Sequence, residues 1–144
     1  MSEEMPMNDP DYASGIAAFE EKNFNTAMRF LNRYAQEGDA EAQHKVAIMY
    51  QNGLGVVAND ENAFKWMKAA AEQGHAIAQH GLGFMYMEGE CIAQDLGEAM
   101  CWFEKAAEQG LIGSMTTIAM MYEEGRGVEK NQDKAQEWYK KAGF

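Results

Sequence analysis

Several residue types are scarce, and each scarcity excludes something. Only two prolines occur in 144 residues, so long helices meet almost no obstacle. The two cysteines, Cys91 and Cys101, are too few for a disulfide scaffold and read as reduced thiols of a cytoplasmic protein. Basic residues number 12 against 23 acidic ones, a formal net charge of −11. That balance repels nucleic acid and anionic membrane surfaces, and it favours a basic partner. No stretch approaches the roughly 18 apolar residues that span a bilayer. The N-terminus, Met1 to Asp11, is acidic and has no apolar core, unlike a secretory signal. A nucleophile elbow, a zinc-protease helix and a phosphate loop are all missing. What remains is 47% apolar content, enough for a chain of this length to bury a core.

What the sequence has is a repeat. Tyr50, Tyr86 and Tyr122 stand 36 residues apart, as do Gly53, Gly89 and Gly125. The same step links Ala63, Ala99 and Ala135, then Trp66, Trp102 and Trp138, then Ala70, Ala106 and Ala142, and Gly38, Gly74 and Gly110 close the preceding units. A period of this length marks stacked supersecondary units.

Each unit reads as two helices. Over Glu41 to Asn52 the apolar residues Ala42, Val46, Ala47, Met49 and Tyr50 follow a three-and-four spacing, and Gly53 ends the helix. Asn59, Asp95 and Asn131 are N-caps for the second helices. Ala63, Trp66, Met67, Ala70 and Ala71 share one face of the second helix. The three tryptophans are expected to be largely buried there, with alanines allowing close helix approach. The first unit is shorter, with Tyr12 to Lys22 as its first helix and Ala27 and Phe30 in phase with Ala63 and Trp66. The expected organisation is a disordered tail, 1–9, and one helical-repeat domain, 10–144, in units 10–38, 39–74, 75–110 and 111–144. The fold class is all-α, an α-α superhelix (solenoid) of four helical hairpins.

Tyr50-Gln-Asn-Gly53-Leu-Gly55-Val56, Ala63-Phe-Lys-Trp66 and Ala70-Ala71-Glu-Gln-Gly74, echoed by Tyr122-Glu-Glu-Gly125-Arg-Gly127-Val128, resemble the Sel-1-like repeat family of the tetratricopeptide-like superfamily. The resemblance covers residues 39–144, and the first unit is closer to a plain tetratricopeptide hairpin. It implies a non-catalytic module for protein–protein interaction, an adaptor or scaffold of bacterial style. The alternatives are a catalytic, hydrolase-like repeat protein and a small-ligand or metal sensor. Cys91 departs from the pattern by replacing the loop glycine seen at Gly55 and Gly127. A position that requires positive φ would strain it.

In this superfamily, first helices line a concave face. In register, the partner-binding residues are His44, Ile48 and Gln51, then His80, Phe84 and Met87, then Thr116, Met120 and Glu123. The row Ile48, Phe84 and Met120, edged by Glu88 and Glu124, suits a peptide with apolar anchors and basic flanks, and Phe84 is its central aromatic. His44 and His80 are polar groove residues in this reading. A metal would need ligands converging within about 2–2.5 Å. Glu41 lies one turn from His44, but Ile77 stands at the matching place one unit on, so neither metal nor cofactor is expected. The last helix, Gln132 to Ala142, presents Trp138, Tyr139 and Phe144 at its trailing edge. Lys140 and Lys141 stems shield that edge in a monomer, or a second copy packs there as a weak homodimer.

Overall fold

The computed structural model describes residues 9–144. The tail expected to be disordered lies outside the described residues, apart from Asp9, which caps the first helix. Eight helices are present among the described residues, with no strand: α1 Pro10–Glu20, α2 Phe24–Gln36, α3 Ala40–Asn52, α4 Asp60–Glu72, α5 Ala76–Glu88, α6 Leu96–Glu108, α7 Ile112–Glu124 and α8 Gln132–Lys141. The all-α helical repeat stands as expected.

Local chemistry sets the boundaries. Asn59, Asp95 and Asn131 each accept the backbone N–H three residues on, which satisfies a donor the helix start leaves open. Asp39 does the same for α3. His75 is an unexpected cap, its Nδ1 accepting from Ala78 N at 3.1 Å. The first helices α3, α5 and α7 end on left-handed Gly53, Gly89 and Gly125.

The chain divides into two units, Met1–Gln73 and Gly74–Phe144. In the first, α1 pairs with α2 and α3 with α4, and α2 packs on α3. In the second, α5 pairs with α6 and α7 with α8, and α6 packs on α7. The alanine column Ala27, Ala63, Ala99 and Ala135 is fully buried. A glutamine bracket recurs once per unit. Gln73 Nε2 donates to Gly38 O and to Gln43 Oε1, both at 2.8 Å. Gln109 Nε2 repeats this on Gly74 O and Gln79 Oε1, both at 2.9 Å. These bonds tie the ends of α4 and α6 to the start and body of α3 and α5 beside them.

The tryptophans pack against the core without being its innermost residues. Trp66, Trp102 and Trp138 each keep an edge in solvent, and a lysine lies over each ring: Lys65 at 4.7 Å, Lys105 at 5.3 Å and Lys141 at 4.1 Å from the centroids. The residue after the aromatic of this column fills the core in three of the four hairpins, Leu31 after Phe30, Met67 after Trp66 and Phe103 after Trp102, each at most 2% exposed, whereas Tyr139 after Trp138 is half-buried. Neighbouring helical residues point about 100° apart, so at most one of each pair faces inward fully. The other keeps an edge in water, where cation–π contact suits it.

Within each unit, one loop between a first and a second helix presses against the start of the previous second helix, the Gly55 loop on α2 and the Gly127 loop on α6. A Cβ on Gly55 would lie 2.6 Å from the carbonyl of Phe24, and one on Gly127 would lie 2.6 Å from Leu96 Cβ. Both glycines have positive φ, 72° and 76°, and Cys91 adopts the same conformation at 69°. The loop is not rerouted around the cysteine. Cys91 takes the strained geometry.

Candidate functional site

A trough lies between α5 and α7 in the second unit, an open depression of ≈ 280 Å³. Helical spacing builds it. Phe84, Met87 and Glu88 share one side of the last turns of α5. Thr117, Met120, Met121 and Glu124 occupy the matching part of α7, and Arg126 reaches in from the loop that follows. Met87 and Met121 are buried and form the floor. Phe84 and Met120, 39% and 48% exposed, stand open to solvent. Few large apolar residues are this exposed among the described residues, and here two share one depression.

Phe84 is held in place by rings. It meets His80 edge-on at 4.9 Å and Phe103 at 5.4 Å, and His80 and Phe103 are 5.3 Å apart. His80 Nδ1 and Ser114 Oγ share a hydrogen bond of 2.7 Å. Burial in this apolar nest pushes the His80 pKa below its usual value. The arrangement fixes a neutral imidazole as packing material. Ser114 is itself fully buried, so it is not placed to attack a substrate.

The charged residues sit at one end. Arg126 Nη1 lies 3.5 Å from Glu88 Oε1, and its Nη2 donates to Met87 O at 3.3 Å. Glu124 lines the same end. The two helices that form the walls both finish there, at Gly89 and Gly125, and their last carbonyls are already occupied, Tyr86 O by Asp95 N and Tyr122 O by Asn131 N, both at 2.9 Å.

The candidate residues distribute as follows. Phe84, Met87 and Met120 come together in the trough, with Glu88 and Glu124 at its edge. His80 packs behind Phe84. Thr116 donates to Gly113 O of its own helix, and its neighbour Thr117 lines the trough instead. Glu123 accepts from the Tyr139 hydroxyl of α8 at 3.3 Å, so it is engaged inside its own hairpin. Burial first, and Glu123 second, push the Tyr139 hydroxyl pKa up. His44, Ile48 and Gln51 lie on α3 in the first unit, His44 buried and the other two half-buried. Met121 and Arg126 are trough residues that sequence reasoning missed. Arg126 stands where Leu54 and Glu90 occur in the other loops, and that break in the repeat was the available signal.

The family model for the Sel1 repeat matches residues 40–75, 76–111 and 114–143. The chain belongs to the Sel1 repeat family. Solved structures agree. A Sel1 repeat protein from Oxalobacter formigenes superposes with a TM-score of 0.86 at 36% identity, covering 94% of this chain and 54% of that one. A protective antigen present in uropathogenic Escherichia coli strains, displaying an SLR fold, gives 0.85 at 32% identity, covering 92% of this chain and 30% of that one. The chain thus spans about half of the first relative and under a third of the second. No curated protein matches it. Sel1 repeats generally mediate protein–protein interaction and are typically non-catalytic. Among the described residues no helix is long and apolar enough to cross a membrane.

Proposed function

We propose that this Sel1 repeat protein is a cytoplasmic adaptor or scaffold that works without catalysis. It binds a peptide segment of a partner protein, with apolar anchors and basic flanks, on the face made by its first helices. In the second unit that face is the trough between α5 and α7, and the α3 residues His44, Ile48 and Gln51 hold the equivalent register. One observation carries the reading: Phe84 and Met120 stay exposed side by side over a buried methionine floor. Isolated exposed apolar residues are ordinary, whereas a contiguous apolar depression with a polar rim is a docking surface. Methionine suits it because the flexible, polarisable thioether moulds to an incoming side chain.

Quantitative pull-down from cell extract tests this, comparing the native chain with trough variants. Met120→Asp is the cleanest probe, since Met120 is half-exposed and takes no part in the ring cluster. Proteins retained by the native chain should be lost from Met120→Asp. Phe84→Ala should weaken binding by about 2 kcal/mol, with some cost to the fold because Phe84 supports His80 and Phe103. Undiminished binding after joint replacement of Ile48, Phe84 and Met120 by alanine would overturn the proposal.

A further inference from the structure

We infer that the trough reads a pair of groups on its partner, an apolar side chain and a Lys or Arg head, and that Glu124 selects the cation. The inference rests on the docking reading above and names what that site discriminates. Three charged side chains line the trough: Glu88, Glu124 and Arg126. Glu88 and Arg126 already face each other at 3.5 Å, and Arg126 is further anchored on the Met87 carbonyl. Glu124 makes no ion pair among the described residues. Its carboxylate is the negative charge left over at the rim.

α5 and α7 both terminate beside that charge, at left-handed Gly89 and Gly125, but the starts of α6 and α8 lie at the same end, Asp95 N donating to Tyr86 O and Asn131 N to Tyr122 O, both at 2.9 Å, so the helix-end partial charges offset one another. The charge rests on Glu124 itself and not on the helix ends. The trough is therefore polarised, apolar over Phe84 and Met120 and negative one turn further on. Met120 and Glu124 are four residues apart on α7, as are Phe84 and Glu88 on α5, a separation of about 6 Å. A partner fits when its apolar side chain and its cationic head are offset by that distance along the trough. Acidic or apolar groups at the cation's place would bury or crowd the Glu124 charge without compensation.

Short fluorescein-labelled peptides test the inference directly, with binding read by fluorescence anisotropy. One probe carries leucine and lysine one helical turn apart on an alanine-based helix. A second replaces lysine by glutamate, and a third replaces leucine by serine. The leucine–lysine probe should bind the native chain most tightly. Glu124→Lys should weaken it about three- to tenfold, the usual size of a rim charge effect, and should raise binding of the leucine–glutamate probe. Glu124 is exposed, so circular dichroism of Glu124→Lys should match the native chain. If Met120→Asp abolishes binding while both charged probes bind the native chain alike and ignore Glu124→Lys, the trough stands and the charge selection is wrong. If the leucine–lysine probe does not bind, or binds Met120→Asp as well as the native chain, the inference is overturned. The pull-down comparison then decides the docking reading separately.

Discussion

Replacing Cys91 by glycine should stabilise the protein. Cys91 sits at φ 69°, between the 72° of Gly55 and the 76° of Gly127 in the sister loops. A residue with a Cβ in this conformation loses about 1–2 kcal/mol from the clash with the following carbonyl. Glycine removes that clash, but its looser unfolded chain takes back about 0.5–1 kcal/mol. The net expectation is a gain of about 0.5–1 kcal/mol, or roughly 2–4 °C in Tm for a chain of this size. Cys91→Ala divides the effect into its parts. Native against Cys91→Ala measures what the half-buried thiol contributes, and Cys91→Ala against Cys91→Gly measures the backbone alone. Urea unfolding followed by circular dichroism and by tryptophan fluorescence gives both differences. The converse change, Gly127→Ala, should cost more than Cys91→Gly gains, because its Cβ would also meet Leu96 Cβ at 2.6 Å. A Cys91→Gly protein less stable than Cys91→Ala would refute the reasoning. The loop would then not be strained by its side chain.

Phe103→Ala should destabilise by about 3–5 kcal/mol, the cost of deleting a buried aromatic. Trp102→Ala should cost clearly less, since its ring is only half-buried under Lys105; equal losses in urea midpoints would contradict this division of the pair. Gly83→Ala should cost about 1–3 kcal/mol by overpacking, because its Cβ would sit 2.7 Å from the Phe103 ring. Retained thermal stability in that variant would show that the ring shifts freely. The depressed His80 pKa predicts a pH effect of definite sign. The unfolded chain takes up a proton near the ordinary value of 6.5, while the folded chain does so only at lower pH. Stability from this group is therefore complete above pH 6.5 and is lost as pH falls through the folded value. Between pH 7.5 and 5.5 the urea midpoint should fall less in His80→Gln than in the native chain, and parallel curves would exclude His80 as the source.

The helices and their ends were legible in the sequence because they depend on local chemistry. Asn59, Asp95 and Asn131 cap because each side chain reaches an N–H three residues away, and Cys91 stood out because two glycines occupy its equivalents. Burial within a helix was less legible. A recurring tryptophan shows that equivalent residues have equivalent surroundings, not that those surroundings are dry. The inward role belongs to Leu31, Met67 and Phe103, which vary in kind from unit to unit because different apolar shapes fill similar space. The glutamine brackets are invisible for another reason. Gln73 and Gln109 read as surface residues near a helix end, and only the folded chain brings Gly38 and Gly74 to their amides.

A repeat protein offers an internal comparison that bears on where its site is. Positions holding the same residue in each unit, such as the capping glycines and the buried alanines, answer the same packing demand every 36 residues. Positions that change are released from that demand. The trough is built largely from such positions. Ile48, Phe84 and Met120 share one, Asn52, Glu88 and Glu124 another, and Leu54, Glu90 and Arg126 a third. Variation alone does not make a site, as Cys91 shows: its column varies, yet the backbone still demands glycine-like geometry. The two cases separate on exposure and conformation. Phe84, Met120 and Glu124 are solvent-exposed residues on regular helix, with no backbone requirement on their identity. Their side chains are set by what they meet outside the helix. For Phe84 that is partly the His80 and Phe103 rings. For Met120 and Glu124, which lie outside that cluster, the proposed docking reading assigns that role to the partner, and for this reason the decisive substitutions fall on α7.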